Sequence, residues 1–246
     1  MKILNTLLLC TLANSVLADT TLIFTDGQSD KAVTKMQFAN NKMRASSAND
    51  NSTYMIYDAN NTTFTMYMAD DKQYFVLGKE QLETLGDVGA MMDKMLEEQL
   101  SQLPASQREM MRGMMAGALK AQMPKQAPKA VYSFTGETSS YNGFDCKIVS
   151  KKAGKNKSNF CVTEYSNLGM SDSEYSIITS FQKTIEKLAS QMGSDNSMDF
   201  SSLGNYMPVQ FNQSGQNGIL NKVHHDKLEA SLFTTPQDYN KVEMPF

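Results

Sequence analysis

Eight methionines crowd one stretch of this chain: Met91, Met92, Met95, Met110, Met111, Met114, Met115 and Met123, out of 19 in 246 residues. Thioethers can do three things here. They are flexible and polarizable, so they can line an apolar surface that adapts to lipids or varied protein clients. They are soft donors, so Met-x-x-Met-type spacing on a helix face suits Cu(I). They also fill irregular gaps between a helix and a sheet. A ligand surface would engage Met92, Met95, Met110, Met111, Met114 and Met115, whereas copper would centre on Met111, Met114 and Met115. Copper ranks last, because no cysteine or clustered histidine joins the methionines.

Cys146 and Cys161 are the next candidates. Two strand-like runs, residues 144–149 and 158–164, flank a turn, and a hairpin centred on Ala153-Gly154 would set the two cysteines opposite each other. Directly opposed strand residues have the Cβ separation a disulfide needs. A redox pair or two soft metal ligands are the alternatives, although a catalytic pair is more often spaced Cys-x-x-Cys. His224 and His225 are adjacent in a predicted strand, so they point to opposite faces and cannot chelate together. Either could join Asp226 or a methionine. No Gly-x-Ser-x-Gly elbow, His-Glu-x-x-His, phosphate-binding glycine loop or EF-hand loop occurs. The carboxylates are scattered. The reading is a non-enzymatic protein without a cofactor.

Residues 1–18 have the layout of a secretory signal peptide. Lys2 is the positive end, residues 3–12 are the apolar run, and Val16-Leu17-Ala18 precedes Asp19 as a cleavage site. Cys10 follows Leu7-Leu8-Leu9 rather than the small residues that lipidation requires, so the expected product is soluble and periplasmic, beginning at Asp19. An even cysteine count after cleavage suits that oxidising compartment. Loss of Lys2 moves the net charge from −3 to about −4, too acidic for a nucleic-acid footprint. Lys147, Lys151, Lys152, Lys155 and Lys157 make the cysteine hairpin basic, which allows transient contact with an anionic membrane surface.

The elements that must position these groups follow from pattern. Residues 21–77 read as a meander: short apolar or aromatic runs separated by Asp26-Gly27, Asn40-Asn41, Asn60-Asn61 and Asp70-Asp71. Phe64, Met66 and Met68 alternate with Thr63, Thr65 and Tyr67, so one sheet face is the more apolar. Residues 79–123 change to helical periodicity, with Ser106-Gln107-Arg108-Glu109 as a capping box, and residues 124–129 read as a linker. Strands return over 130–137, 141–150 and 158–164. A third helix begins near 171–173, with Ile178, Phe181, Ile185, Leu188 and Met192 as its apolar stripe. A last hairpin turns around residues 214–218, and the tail 232–239 carries aromatic anchors.

Tyr141-Asn142-Gly143-Phe144-Asp145-Cys146-Lys147, Phe160-Cys161-Val162-Thr163 and the tail Leu228-Glu229-Ala230-Ser231-Leu232-Phe233-Thr234-Thr235-Pro236-Gln237-Asp238-Tyr239 resemble an exported bacterial family called domain of unknown function 4412. Leu103-Pro104 and Gln107-Arg108-Glu109-Met110-Met111 look similar as well. Through that family the chain is similar to the periplasmic lipoprotein carrier superfamily. The resemblance implies an incomplete antiparallel barrel covered by helices, enclosing an apolar cavity for acyl chains.

The combined expectation is one α+β domain over residues 19–246: a curved antiparallel sheet with covering helices, including a Met-rich helical pair inserted at about 79–123. Its expected partner is an apolar ligand, a lipid or a lipidated protein. A periplasmic copper-binding protein, or an interaction module without ligand, is the alternative.

Overall fold

The computed structural model of the protein describes residues 19–27, 32–47, 50–86, 128–191, 200–213 and 216–243, with isolated positions between 94 and 112 and at 198. Its N-terminal part is the meander that the turn pairs predict: β1 (Thr20–Thr25), β2 (Ala32–Ala39), β3 (Lys42–Ser46), β4 (Thr53–Asp58), β5 (Thr63–Met68) and β6 (Gln73–Leu77). Ala39 pairs with Lys42 across Asn40-Asn41, whose φ values are 51° and 59°. Tyr141 pairs with Phe144 across Asn142-Gly143, at 51° and 84°. Two central residues with positive φ match the twist of a two-residue hairpin, and Asn and Gly tolerate that backbone best.

After α1 (Lys79–Gly86) come β7 (Val131–Tyr141), β8 (Phe144–Ala153), β9 (Asn156–Glu164), α2 (Asp172–Gln191), β10 (Tyr206–Gln213), β11 (Gln216–His225) and β12 (Asn240–Lys241). All strands join one sheet in the order β12-β6-β5-β4-β3-β2-β1-β11-β10-β9-β8-β7. The first strand therefore sits near the middle and pairs with β11, joining two meanders at one seam. Gly218 in β11 lies opposite Phe211, and a Cβ there would fall 2.3 Å from that ring, so the glycine lets the aromatic lie across the strand.

A capping box opens α2. Ser171 Oγ accepts from the Glu174 amide at 3.3 Å, and Glu174 Oε2 accepts from the Ser171 amide at 2.8 Å. The helix then runs across one face of the sheet. Tyr175 stacks on Tyr165 and donates to the Gly204 carbonyl at 3.0 Å. Farther along, Ser180 Oγ lies 2.7 Å from Tyr57 Oη, and Phe181 packs against Tyr57 and Phe64. Beneath it, Leu22, Phe38, Met43, Tyr57, Val209 and Leu220 are completely buried. A second cluster, Val149, Phe160, Val162 and Phe200, also reaches full burial. Phe160 and Val162 flank Cys161 in β9, and Cys161 belongs to the helix-side core, so this cluster occupies the opposite face.

The expected α+β incomplete antiparallel barrel is corrected. The sheet is a 12-stranded mixed one, because β12 runs parallel to β6, and its order is open from β12 to β7. Strand dominates, and α1 and α2 are the α-helices described along their whole length. Among the described residues no Met-rich helical pair is shown. Lys94, Glu97, Leu100, Gln107, Arg108, Met111 and Arg112 have helical backbone, and Arg112 pairs with Glu97. The remaining Met92, Met95, Met110, Met114 and Met115 lie outside the described residues. Helical periodicity sets local conformation, and Leu100 in this stretch is buried at 1% exposure, whereas the architecture is set by strands that pair across the whole chain.

Candidate functional site

The register places side chains in rows across the helix-bearing face. Thr20, Phe38, Met43, Tyr57, Phe64 and Leu77 oppose one another from β1 to β6. This row seats α2. Two residues along each strand lies a second row on the same face: Leu22, Met36, Ala45, Met55, Met66 and Phe75, continued on β11 by Val223. Leu22 is fully buried, whereas Met36, Ala45, Met55, Met66, Phe75 and Val223 are half-buried. Seven adjacent strands at about 4.8 Å spacing make this apolar strip roughly 29 Å long. Half a bilayer core is about 15 Å, so the strip is long enough for an extended acyl chain. Three of its residues are thioethers, able to repack around different shapes.

The methionines singled out from sequence occupy a different part of the chain. Met111 is half-buried on helical backbone, and its five companions lie outside the described residues. Met36 and Met55 gave no sequence signal alone, because their alignment exists only once three strands are in register. Met66 was visible through its alternation with Thr65 and Tyr67.

Cys146 and Cys161 form a disulfide with a Cα separation of 5.4 Å. The turn differs from the expected one. Ala153 pairs with Asn156 around Gly154-Lys155, so Cys161 stands opposite Ile148 rather than Cys146. A displacement of two residues keeps side chains on the same face, and the sulphurs still meet. Of the basic hairpin residues, Lys151 is buried, while Lys152, Lys155 and Lys157 are exposed around the turn. Lys147 Nζ donates to Tyr206 Oη at 3.1 Å, which raises the lysine above its ordinary pKa. Both groups line a polar depression of about 710 Å³ with Thr138, Glu164 and Asn167.

His224 and His225 pair with Thr21 and Thr20, so they do face opposite sides, and both are exposed. His225 covers Gly169, where an added Cβ would lie 2.6 Å from Nε2. Among the described residues, no three His, Cys, Asp or Glu side chains gather as a metal cluster. No helix among them is long and apolar enough to cross a membrane.

The opposite face of β3 to β6 is covered by the C-terminal tail. Lys42 Nζ donates to the Phe233 carbonyl, and Tyr67 Oη lies 2.8 Å from Thr235 Oγ1. Tyr54, Tyr67 and Tyr74 stack along one row, with Tyr239 edge-on to Tyr67. Arg44, 7% exposed, lies 4.3 Å from the centre of the Tyr54 ring and donates to Gln37 Oε1 and Ser46 Oγ. Burial, followed by the neighbouring Tyr239 and Tyr67, pushes the Tyr54 phenol up to about 12, against the pull of Arg44.

The folded protein therefore holds the Tyr54 proton more tightly than the unfolded chain does, whose tyrosines titrate near about 10. The resulting stability is complete below about pH 10 and is lost as pH rises through about 12. Tyr54→Phe has no phenolic proton to lose. Its alkaline unfolding midpoint, followed by circular dichroism, should lie above that of the unsubstituted protein. An unchanged midpoint would show that other groups govern alkaline unfolding.

No protein-family model matches this sequence, and no curated protein matches it. Two solved structures of PNGF-II, in C2 and P21 space groups, are similar at 10% and 8% identity, each with a TM-score of 0.41. The match covers 92% of this chain but 31% of each of those chains. A likeness this distant carries nothing over to the present protein.

Proposed function

We propose that this protein binds an apolar ligand without catalysing a reaction, and that it does so in the periplasm after losing residues 1–18. The ligand class is an acyl chain, of a lipid or of a lipidated protein. The half-buried row Met36, Ala45, Met55, Met66 and Phe75 carries the reading. Fully buried side chains fill most of the neighbouring row beneath α2, and Met36 and Met55 pack against that core while Met66 and Phe75 extend beyond it, so the strip is anchored at one end and partly open at the other. Met and Phe offer dispersion contact and little directionality, which suits a ligand without polar handles. The disulfide is in keeping with an oxidising compartment. Exposed Lys152, Lys155 and Lys157 favour brief contact with an anionic membrane surface.

Met55→Gln with Met66→Gln tests the strip. Glutamine keeps a similar length but puts an amide where the ligand would lie. Burying an unpaired amide costs about 1–3 kcal/mol, so affinity for an uncharged fluorescent acyl probe should fall about tenfold or more. Both positions are half-buried, so thermal stability should change far less. Native mass spectrometry of protein taken from its own compartment supplies the second reading. A lipid-sized adduct on a chain beginning at Asp19 supports the proposal, whereas copper favours the metal alternative. Absence of saturable acyl-probe binding by the unsubstituted protein would end the acyl reading.

A further inference from the structure

A second depression, of about 360 Å³, lies where α1, α2 and the β4–β5 turn meet. Its lining is Thr62, Lys79, Leu82, Glu83, Lys183, Thr184, Lys187 and Leu188. Three ammonium groups against one carboxylate reverse, at this spot, the sign of a chain whose net charge is −3. Lys183 and Lys187 stand one turn apart on α2, a spacing at which like charges repel. Lys79 enters from α1, about one hundred residues away in sequence, because the two helices pack together. The floor is apolar: Leu82 is buried and Leu188 half-buried. Lys79, Lys183 and Lys187 are exposed around this floor, so their long stems can bring the ammonium groups over it.

The two hydroxyls differ in what they offer. Thr184 Oγ1 donates to the Ser180 carbonyl, so its proton is committed. Thr62, at φ 51° in the turn, also lines the depression. We infer that this depression is a binding site for a phosphate-class oxyanion, held by Lys79 and Lys183 with Lys187 adding charge and Thr62 donating. Lysines bind phosphate as point charges and need no bidentate geometry, which suits a rim of flexible side chains. Glu83 opposes the anion and sets an upper bound on affinity. The phosphate could be a lipid headgroup or a free ion, and the chemistry of the site is the same for both.

Phosphorus NMR titration of the full chain tests the site with inorganic phosphate and, separately, with dodecyl phosphate below its micellar concentration. At least one should bind saturably. Lys79→Gln with Lys183→Gln should weaken that binding tenfold or more without shifting the melting temperature. Glu83→Gln should strengthen it several-fold, an effect that loss of folding cannot imitate. Saturation by inorganic phosphate identifies a free anion as sufficient; saturation by dodecyl phosphate alone identifies a headgroup. The inference is overturned if neither binds saturably, or if binding ignores both substitutions. The uncharged acyl probe reports separately on the methionine strip, so either site can fail while the other stands.

Discussion

Phe200→Ala should cost about 3–5 kcal/mol, the usual range for emptying a fully buried aromatic site. Phe200 is 0% exposed and meets two rings edge-on, Tyr132 at 5.2 Å and Phe160 at 5.1 Å between centroids. It stands just before the turn Ser201–Leu203, not in a strand, and it fills the face of β8 and β9 turned away from α2. Its removal would leave a void beside Phe160 and Val162, both fully buried now, which Met198 and Leu203 at the cluster's margin could fill only in part. Edge-on aromatic pairs add about 0.5–1.5 kcal/mol beyond area burial, so two such contacts place the loss toward the upper part of the range. Urea unfolding monitored by circular dichroism measures it. A loss below about 1 kcal/mol would mean that this second cluster is a cover, not a core.

Replacing Cys146 and Cys161 together by alanine should remove about 3 kcal/mol, the loop-entropy value for a crosslink closing a segment of 15 residues. Both cysteines are already buried, at 5% and 0% exposure, so alanine leaves packing nearly complete and isolates the crosslink. The bridge ties two strands that hydrogen bonds already pair, which limits what it adds to the native state. Its main effect falls on the unfolded chain. The unfolding rate should therefore change less than the refolding rate if β8 and β9 pair early. Peptide mapping without reductant should recover the two cysteines linked, and free thiols in protein from an oxidising compartment would sink the argument.

The first six strands were legible because most of their turns announce themselves, the connection from β3 to β4 excepted. Asn40-Asn41 tolerates positive φ at both positions, and runs such as Thr63-Phe64-Thr65-Met66 alternate with the strand period. The disulfide was legible for a sturdier reason than the turn that suggested it. The turn was misplaced, yet pairing depends on parity, and Cys146 and Cys161 share a face in either register. β12 was not legible, since Asn240-Lys241 has no pattern and takes its strand geometry from the edge of β6. The second methionine row and the lysine depression share one reason for staying hidden. Met36 and Met55, or Lys79 and Lys183, become neighbours only through long-range packing, which no local window contains.

The central position of β1 sets an order of events during biogenesis. A chain emerging N-terminus first can wind β1 to β6 as consecutive hairpins, each closed over a short loop. The other side of β1 must wait for β11, and Thr20 meets His225 across a sequence separation of 205 positions. Until then β1 presents an unsatisfied row of amides and carbonyls beside Leu22 and Phe24, a template for pairing with the wrong chain. Loop closure over that span is an entropic cost met late, so docking of the two meanders is the natural slow step of assembly. A partner that shields a half-made sheet would therefore act on the N-terminal meander, before the strand that completes it exists.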